Sequence, residues 1–230
     1  MTAARFALYA APSAESPLEH FAAAWLGRSS RSGEPVAQRG MPGLDGERMA
    51  GITASPRRYG FHATLKAPFA LAEAMSADGL HEAAQSFARR RAAFDLPLRV
   101  ASLDRFLALV PTEPSPAVHE LADECVRLFD RFRAPADAVE LAKRRAAGLN
   151  PRQEACLTRW GYPYVFDEFR YHMTLTERLA DPLHDEVLGH LRQVTEALLA
   201  EPFRVDALAV FEEPERGAPF VMTARYPFLS

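Results

Sequence analysis

One short pattern occurs twice in the sequence, and that repetition limits the fold more than any other feature. Phe61-His62-Ala63-Thr64-Leu65 lies in the first half and Tyr171-His172-Met173-Thr174-Leu175 in the second, each an aromatic residue followed by His-x-Thr-Leu. The segments downstream of the two copies are also alike. After His62 comes an apolar stripe at helical spacing (Leu80, Ala83, Ala84, Phe87, Phe94), then an extended segment from Leu98. After His172 come Val187, Leu188, Leu191, Val194 and Leu198, then an extended segment from Phe203. Apolar residues three and four apart mark one face of a helix, whereas short apolar runs between turn residues mark strands. Two strand–helix–hairpin units in one chain imply a two-lobed α+β domain with pseudo-twofold symmetry.

The remaining segments fill that frame. Strands are expected over residues 5–10, 59–69, 98–110, 169–176, 203–211 and 220–228, with 98–110 folding back near Asp104 and 212–219 as a hairpin turn. A further helical stripe, Val118, Leu121, Cys125, Leu128 and Phe132, takes Cys125 into the core as a small hydrophobe. Ser16-Pro17, Ser115-Pro116, Asn150-Pro151 and Asp181-Pro182 each put a capping residue before a proline at the first helical position. Glu19 and Gln153 stand at capping-box spacing from Ser16 and Asn150, and Gly27, Gly148 and Gly161 sit where left-handed caps end helices. Residues 136–160 read as an inserted helical pair. Residues 28–56, rich in Gly, Ser, Pro and Arg, read as a long loop. The chain, 1–230, is read as a single domain, since a chain of this length buries enough surface to fold without a disulfide or metal.

Charge and composition remove several functional classes. With 27 Lys+Arg against 30 Asp+Glu the net charge is -3, which provides no basic field for long nucleic acid. No apolar run approaches the ~18 residues of a membrane helix. The Phe6–Ala11 stretch is shorter than a signal-peptide core. Cys125 and Cys156 form no CxxC pair and suit a reducing compartment, so a cytoplasmic location is expected. HExxH, GxSxG, GxxxxGK and GxGxxG are all missing from the sequence, and neither a metal nor a cofactor is expected.

The repeated pattern has a chemical reading. Residues two apart in a strand share a face. His62, Thr64 and Lys66 are therefore expected on one face, opposite Phe61, Ala63, Leu65 and Ala67. His172, Thr174 and Thr176 are expected opposite Tyr171, Met173 and Leu175. The apolar faces suit packing against helices, and the polar faces turn toward a shared cleft. Histidine can take or give a proton near neutral pH, and threonine hydroxyls can donate to an anionic oxygen. One base and one acid suit in-line displacement at phosphorus, with an optimum expected near pH ~6–8 because unperturbed histidine titrates at about 6.5. The other five histidines, His20, His81, His119, His184 and His190, fall in helical segments without partners at ligand spacing. On the substrate side, Arg57 and Arg58 could clamp a second phosphate, Lys66 shares the His62 face, and Tyr9, Tyr59 and Tyr171 could stack on a base or sugar.

The paired His-x-Thr-Leu strands resemble the two-histidine (2H) phosphoesterase superfamily, which includes bacterial RNA 2′,3′-cyclic phosphodiesterases and RNA-ligase-like proteins. More narrowly, residues 57–69, the Arg5-Phe6-Ala7-Leu8-Tyr9 strand and the Trp25-Leu26-Gly27-Arg28 segment are similar to a 2H branch encoded among bacterial phosphonate-metabolism genes. The resemblance implies a bilobal fold with two antiparallel sheets around a central cleft and helices outside. It implies His62 and His172 as catalytic residues, Thr64 and Thr174 as phosphate-binding residues, and metal-independent opening of a cyclic phosphodiester. The expected partner is a small phosphorylated metabolite such as a ribosyl cyclic phosphate. The alternatives are a short RNA 2′,3′-cyclic end, or a non-catalytic nucleotide- or RNA-end-binding module in the same cleft.

Overall fold

A computed structural model describes residues 4–229. The first part of the chain runs β1 (Arg5–Ala10), α1 (Pro17–Leu26), α2 (Gly46–Ile52), α3 (Ala54–Tyr59), β2 (Ala63–Ala70), α4 (Ala77–Ala88), β3 (Phe94–Leu96) and β4 (Leu98–Leu103). The second runs β5 (Phe106–Pro111), α5 (Pro116–Phe129), α6 (Ala138–Arg145), α7 (Pro151–Trp160), β6 (Met173–Arg178), α8 (Leu183–Thr195), β7 (Phe203–Val205), β8 (Ala207–Glu213) and β9 (Val221–Pro227).

The fold is mixed α+β, with a seven-stranded antiparallel sheet in the order β4-β5-β6-β2-β1-β8-β9 and a two-stranded sheet, β3-β7. This order shows how far the repeat extends. The units are β1-α1-β2-α4-β3-β4 and β5-α5-β6-α8-β7-β8, so the repeat starts one strand and one helix earlier than the His-x-Thr pattern shows. In the sheet, β4-β5-β6 on one side answers β8-β1-β2 on the other, and β9 is an edge addition. Each unit places its last strand on the other unit's side. The two halves meet through one pair, Ala63↔Met173, and β3 pairs β7 across the pseudo-dyad with Phe94↔Val205 and Leu96↔Phe203.

Cap chemistry fixes most helix ends. Ser16, Ser115 and Asn150 accept from backbone N–H groups of the first turns of α1, α5 and α7, each with proline at the first helical positions, and Asn150 and Gln153 form a full capping box. Two expectations fail here. Glu19 forms an ion pair with Arg31 rather than a capping box, and Asp181 does not cap α8, whose N-cap is Pro182 with no side-chain bond. Residues 28–56 are also not a bare loop. Asp45 caps α2 through Arg48 N, α3 follows directly, and the buried Arg28 guanidinium donates to the carbonyls of Gly33, Arg57 and Phe220. Helices of six and seven residues are too short to leave a readable period. These two helices sit between α1 and β2, as the predicted pair α6 and α7 sits between α5 and β6.

The strand faces divide the interior. On β1, Phe6, Leu8 and Ala10 join the main core with Phe21, Trp25, Leu80 and Phe87 from the helices. Ala7, Tyr9 and Ala11 join a smaller cluster with Phe211 and Phe220 on the other face. On that other side of the sheet Ala101, Ala108 and Val110 form a third cluster. Burial on both faces explains why β1 reads as a continuous apolar run. Cys125 is wholly buried in the main core, as expected.

Candidate functional site

Both histidines stand one residue ahead of a strand. The stretch from Tyr59 to His62 is not strand as expected: Tyr59 ends α3, Gly60 turns the chain, and β2 begins at Ala63. Likewise β6 begins at Met173. Because Ala63 pairs antiparallel with Met173, His62 lies across from Thr174, and Thr64 across from His172. Register alone thus gathers the four residues. They line one chamber of about 220 Å³ together with Tyr9, Tyr59, Arg5, Arg144 and Tyr162.

Each imidazole is held by its own backbone. His62 Nδ1 lies 2.9 Å from Gly60 O, and His172 Nδ1 lies 2.7 Å from Arg170 O. A carbonyl only accepts, so Nδ1 carries the proton in both rings and Nε2 of the neutral ring keeps its lone pair. His62 Nε2 lies 3.3 Å from Thr64 Oγ1. The carbonyl that orients His62 depends on glycine. Gly60 has φ +76°, and a Cβ there would stand 2.4 Å from Ser30 Cβ, so neither the conformation nor the space admits a side chain without a shift.

The two rings differ in what covers them. Tyr9 pairs with Thr64 on β1–β2, and its buried ring stacks on His62 at 3.6 Å and 17°. The corresponding residue opposite Thr174 is Ala108, which offers no ring. His172 instead meets a tilted Phe106 ring at 5.7 Å. Burial holds the His62 pKa down to about 4, against the pull of the Gly60 carbonyl, and the neighbouring His172 lowers it further. His172 is lowered by burial as well, partly opposed by the Arg170 carbonyl.

Of the other expected site residues, Tyr9 and Tyr59 line the chamber and four do not. Lys66 is buried beneath α5, its Nζ donating to Val126 O and 3.3 Å from Asp130; burial takes its pKa down to about 8, with Asp130 opposing the fall. The register explains this placement. Leu8 pairs with Lys66 while Tyr9 pairs with Thr64, so β2 holds an extra residue, the alternation slips, and Ala67 rather than Lys66 lines the cleft. Arg57 binds Leu26 O, Gln38 and Thr53, which ties α3 to α1 and the 28–56 segment. Arg58 is held by the wholly buried Glu213 carboxylate and by Ala218 O. Tyr171 is a core residue, with its hydroxyl buried and without a hydrogen-bond partner among the described residues.

Sequence reasoning missed Arg144 and Tyr162 as site residues, and identified Arg5 only as part of the first strand. Arg144 and Tyr162 come from the segment inserted between α5 and β6, and no local pattern announces them. A second chamber of about 450 Å³ continues from the first through Thr64, Ala67, Tyr162 and His172, walled by Phe106, Tyr164 and Phe166. Among the described residues, Asp181, His184 and Asp185 place ligand atoms within 4.8 Å of one another. That group stands at the start of α8, where His184 also bonds Ser102, and it lines neither chamber. No helix among the described residues is long and apolar enough to cross a membrane.

Residues 64–221 match the family described as protein of unknown function DUF1045. The chain belongs to that family. The DUF1045 chain is also similar to two curated proteins named ribose 1,5-bisphosphate phosphokinase PhnN. One, from Janthinobacterium sp. (strain Marseille), is 45% identical over 97% of this chain and 51% of its own length. The other, from Laribacter hongkongensis (strain HLHK9), is 39% identical over 94% of this chain and 50% of its own. The chain thus spans about half the length of these relatives. Among solved structures it is similar to a phosphoesterase (TM-score 0.45, 13% identity, 98% of this chain and 99% of that one). It is also similar to E. coli LigT complexed with NADP+ (TM-score 0.44, 15% identity, the whole of both chains).

Proposed function

We propose that this chain is a metal-independent cyclic phosphodiesterase of the 2H type, opening a small ribosyl cyclic phosphate by paired histidine acid–base catalysis in cytoplasmic phosphonate metabolism. The observation that carries the reading is the register-matched pair His62/Thr174 and His172/Thr64, with each Nδ1 donating to a backbone carbonyl so that proton transfer falls to the Nε2 atoms. His62, the more desolvated ring, serves as base and removes a proton from the attacking water. The new P–O bond forms as the opposite ring P–O bond breaks, and His172 gives its proton to the departing oxygen. Thr64 and Thr174 donate to the non-bridging oxygens. One water is consumed, a phosphomonoester and a free hydroxyl result, and proton exchange with solvent resets the pair.

The relatives' name supports the substrate class. Opening a 5-phosphoribosyl 1,2-cyclic phosphate at the P–O2 bond yields ribose 1,5-bisphosphate, the compound in that name. A kinase of the phosphate-loop type needs GxxxxGK, which this sequence lacks, so we assign the kinase name to the half of those relatives that this chain does not span. Phosphorus NMR of a cyclic-phosphate panel with EDTA present tests the reading. Conversion of the ribosyl 1,2-cyclic phosphate to a monoester is expected, and a reaction that starts only on adding a divalent ion overturns the metal-independent mechanism. A second reading, processing of RNA 2′,3′-cyclic ends, draws on the larger aromatic chamber beside His172 and wins if only nucleotide cyclic phosphates are opened. Tight binding without turnover would instead make the cleft a binding module.

A further inference from the structure

The small chamber has a cationic end that the acid–base chemistry does not use. Arg5 and Arg144 line it alongside the two histidines. Arg5 and Arg58 share a single wholly buried carboxylate, Glu213, so that cluster carries an excess of one positive charge. Arg144 projects from α6, lies over the Tyr162 ring at 4.7 Å, and has a loose 3.8 Å pair with Glu140, which Arg216 also approaches at 3.5 Å. The wall therefore holds two guanidinium groups, from Arg5 and Arg144, with Arg58 behind it sharing Glu213 with Arg5, and Arg216 sharing Glu140 with Arg144. A carboxylate pair this long is readily exchanged for a phosphate dianion, which a guanidinium can bind through two parallel N–H donors. Tyr162, held by Arg144, lies between the two chambers, so the charge is presented at one defined end of the cleft.

We propose that the Arg5/Arg144 end of the small chamber is a subsite for a second, terminal phosphomonoester on the ligand, and that it makes the protein selective for sugar cyclic phosphates already phosphorylated at another carbon. The choice of a sugar ligand rests on the function proposed above; the phosphomonoester site rests on the arginines alone. A chamber of about 220 Å³ has room for a phosphorylated pentose placed between the histidines and the two arginines.

Two measurements test this. The first is titration of the protein with ribose 5-phosphate, which has the terminal phosphate but no cyclic ester, monitored by NMR in low salt. Saturable binding is expected, weakened about tenfold or more by Arg144→Gln, partly restored by Arg144→Lys, and largely retained in the His62→Gln/His172→Gln double variant. Loss of binding with the histidines but not with Arg144→Gln places the phosphate at the cyclic-ester position and overturns the subsite. So does a protein that binds no ribose 5-phosphate. Arg144 is on an inserted helix with an unburied surface, and thermal melting will report whether its variants stay folded. The second measurement compares kcat/KM for a ribosyl 1,2-cyclic phosphate with and without a 5-phosphate. The wild type is expected to favour the phosphorylated member, and Arg144→Gln to reduce that ratio about tenfold, mainly through KM. An unchanged ratio contradicts the subsite. If neither ester is opened, the catalytic reading fails and the ribose 5-phosphate titration alone decides the subsite.

Discussion

His62 stacks on Tyr9 while the matching position beside His172 holds Ala108, and this one difference separates the two rings chemically. The base must be neutral and the acid protonated. With His62 held at about 4 and His172 lowered below 6.5, the pH profile of kcat/KM, which reports the free protein, is expected to peak on the acid side of 6.5. That is lower than the optimum of pH ~6–8 expected for unperturbed histidines. The kcat profile is expected to peak higher, because a bound phosphate anion favours the imidazolium form. Both limbs belong to the coupled pair. A kcat/KM maximum above pH 7.5 would contradict the burial argument. Tyr9→Leu removes the stacked cover and is expected to move the acid limb upward. Stability has its own sign: His62 is neutral when folded at pH values where the unfolded chain binds a proton. Its contribution is therefore intact above pH 6.5 and is lost as pH falls toward 4, which chemical denaturation at pH 7 and pH 5 will show. The His-x-Thr residues were legible in the sequence because a duplicated pattern rarely arises by chance. Arg57, Arg58 and Tyr171 were not, since a residue type does not say which carbonyls or core partners will occupy it.

Strand register decides the elements around the site. Alternation placed Lys66 with His62, but the extra residue in β2 moves it under α5, and a comparable shift occurs where β6 meets β5 between Ala108↔Thr174 and Phe106↔Arg178. Bulges of this kind leave no reliable mark on a single strand's sequence, so the placement of His62 and Thr64 was readable and that of Lys66 was not. Lys66→Met is accordingly expected to change the melting temperature without raising KM, because its partner Asp130 retains Arg133. A tenfold rise in KM would return Lys66 to the substrate side. Gly60→Ala is expected to cost about 1–3 kcal/mol in stability and to lower kcat by tilting the carbonyl that orients His62. Adding Ser30→Gly relieves the 2.4 Å clash but not the positive φ, so rescue measured by denaturation and kcat should be partial.

At the scale of the molecule, the two units are interlocked, since β4 of the first completes the half built on β6 and β8 of the second completes the half built on β1. The sequence revealed two strand–helix–hairpin units but not this exchange, because hydrophobic period reports which face a strand buries and not which strand it pairs with. Residues 1–104 expressed alone are expected to stay unfolded by circular dichroism, while co-expression with 105–230 should restore the fold. An independently folded first fragment would contradict the exchange. The same interlocking brings His62 and His172 to the single pair that joins the halves, and their joint action is the central claim. It is tested most directly by single-turnover kinetics on an opened cyclic phosphate with His62→Ala, His172→Ala and the double variant. Each single change is expected to slow the chemical step roughly 10²–10⁴-fold, with the double variant losing far less than the product of the two. If either single variant keeps near-full turnover, or if the two losses simply multiply, the histidines do not work as one acid–base pair.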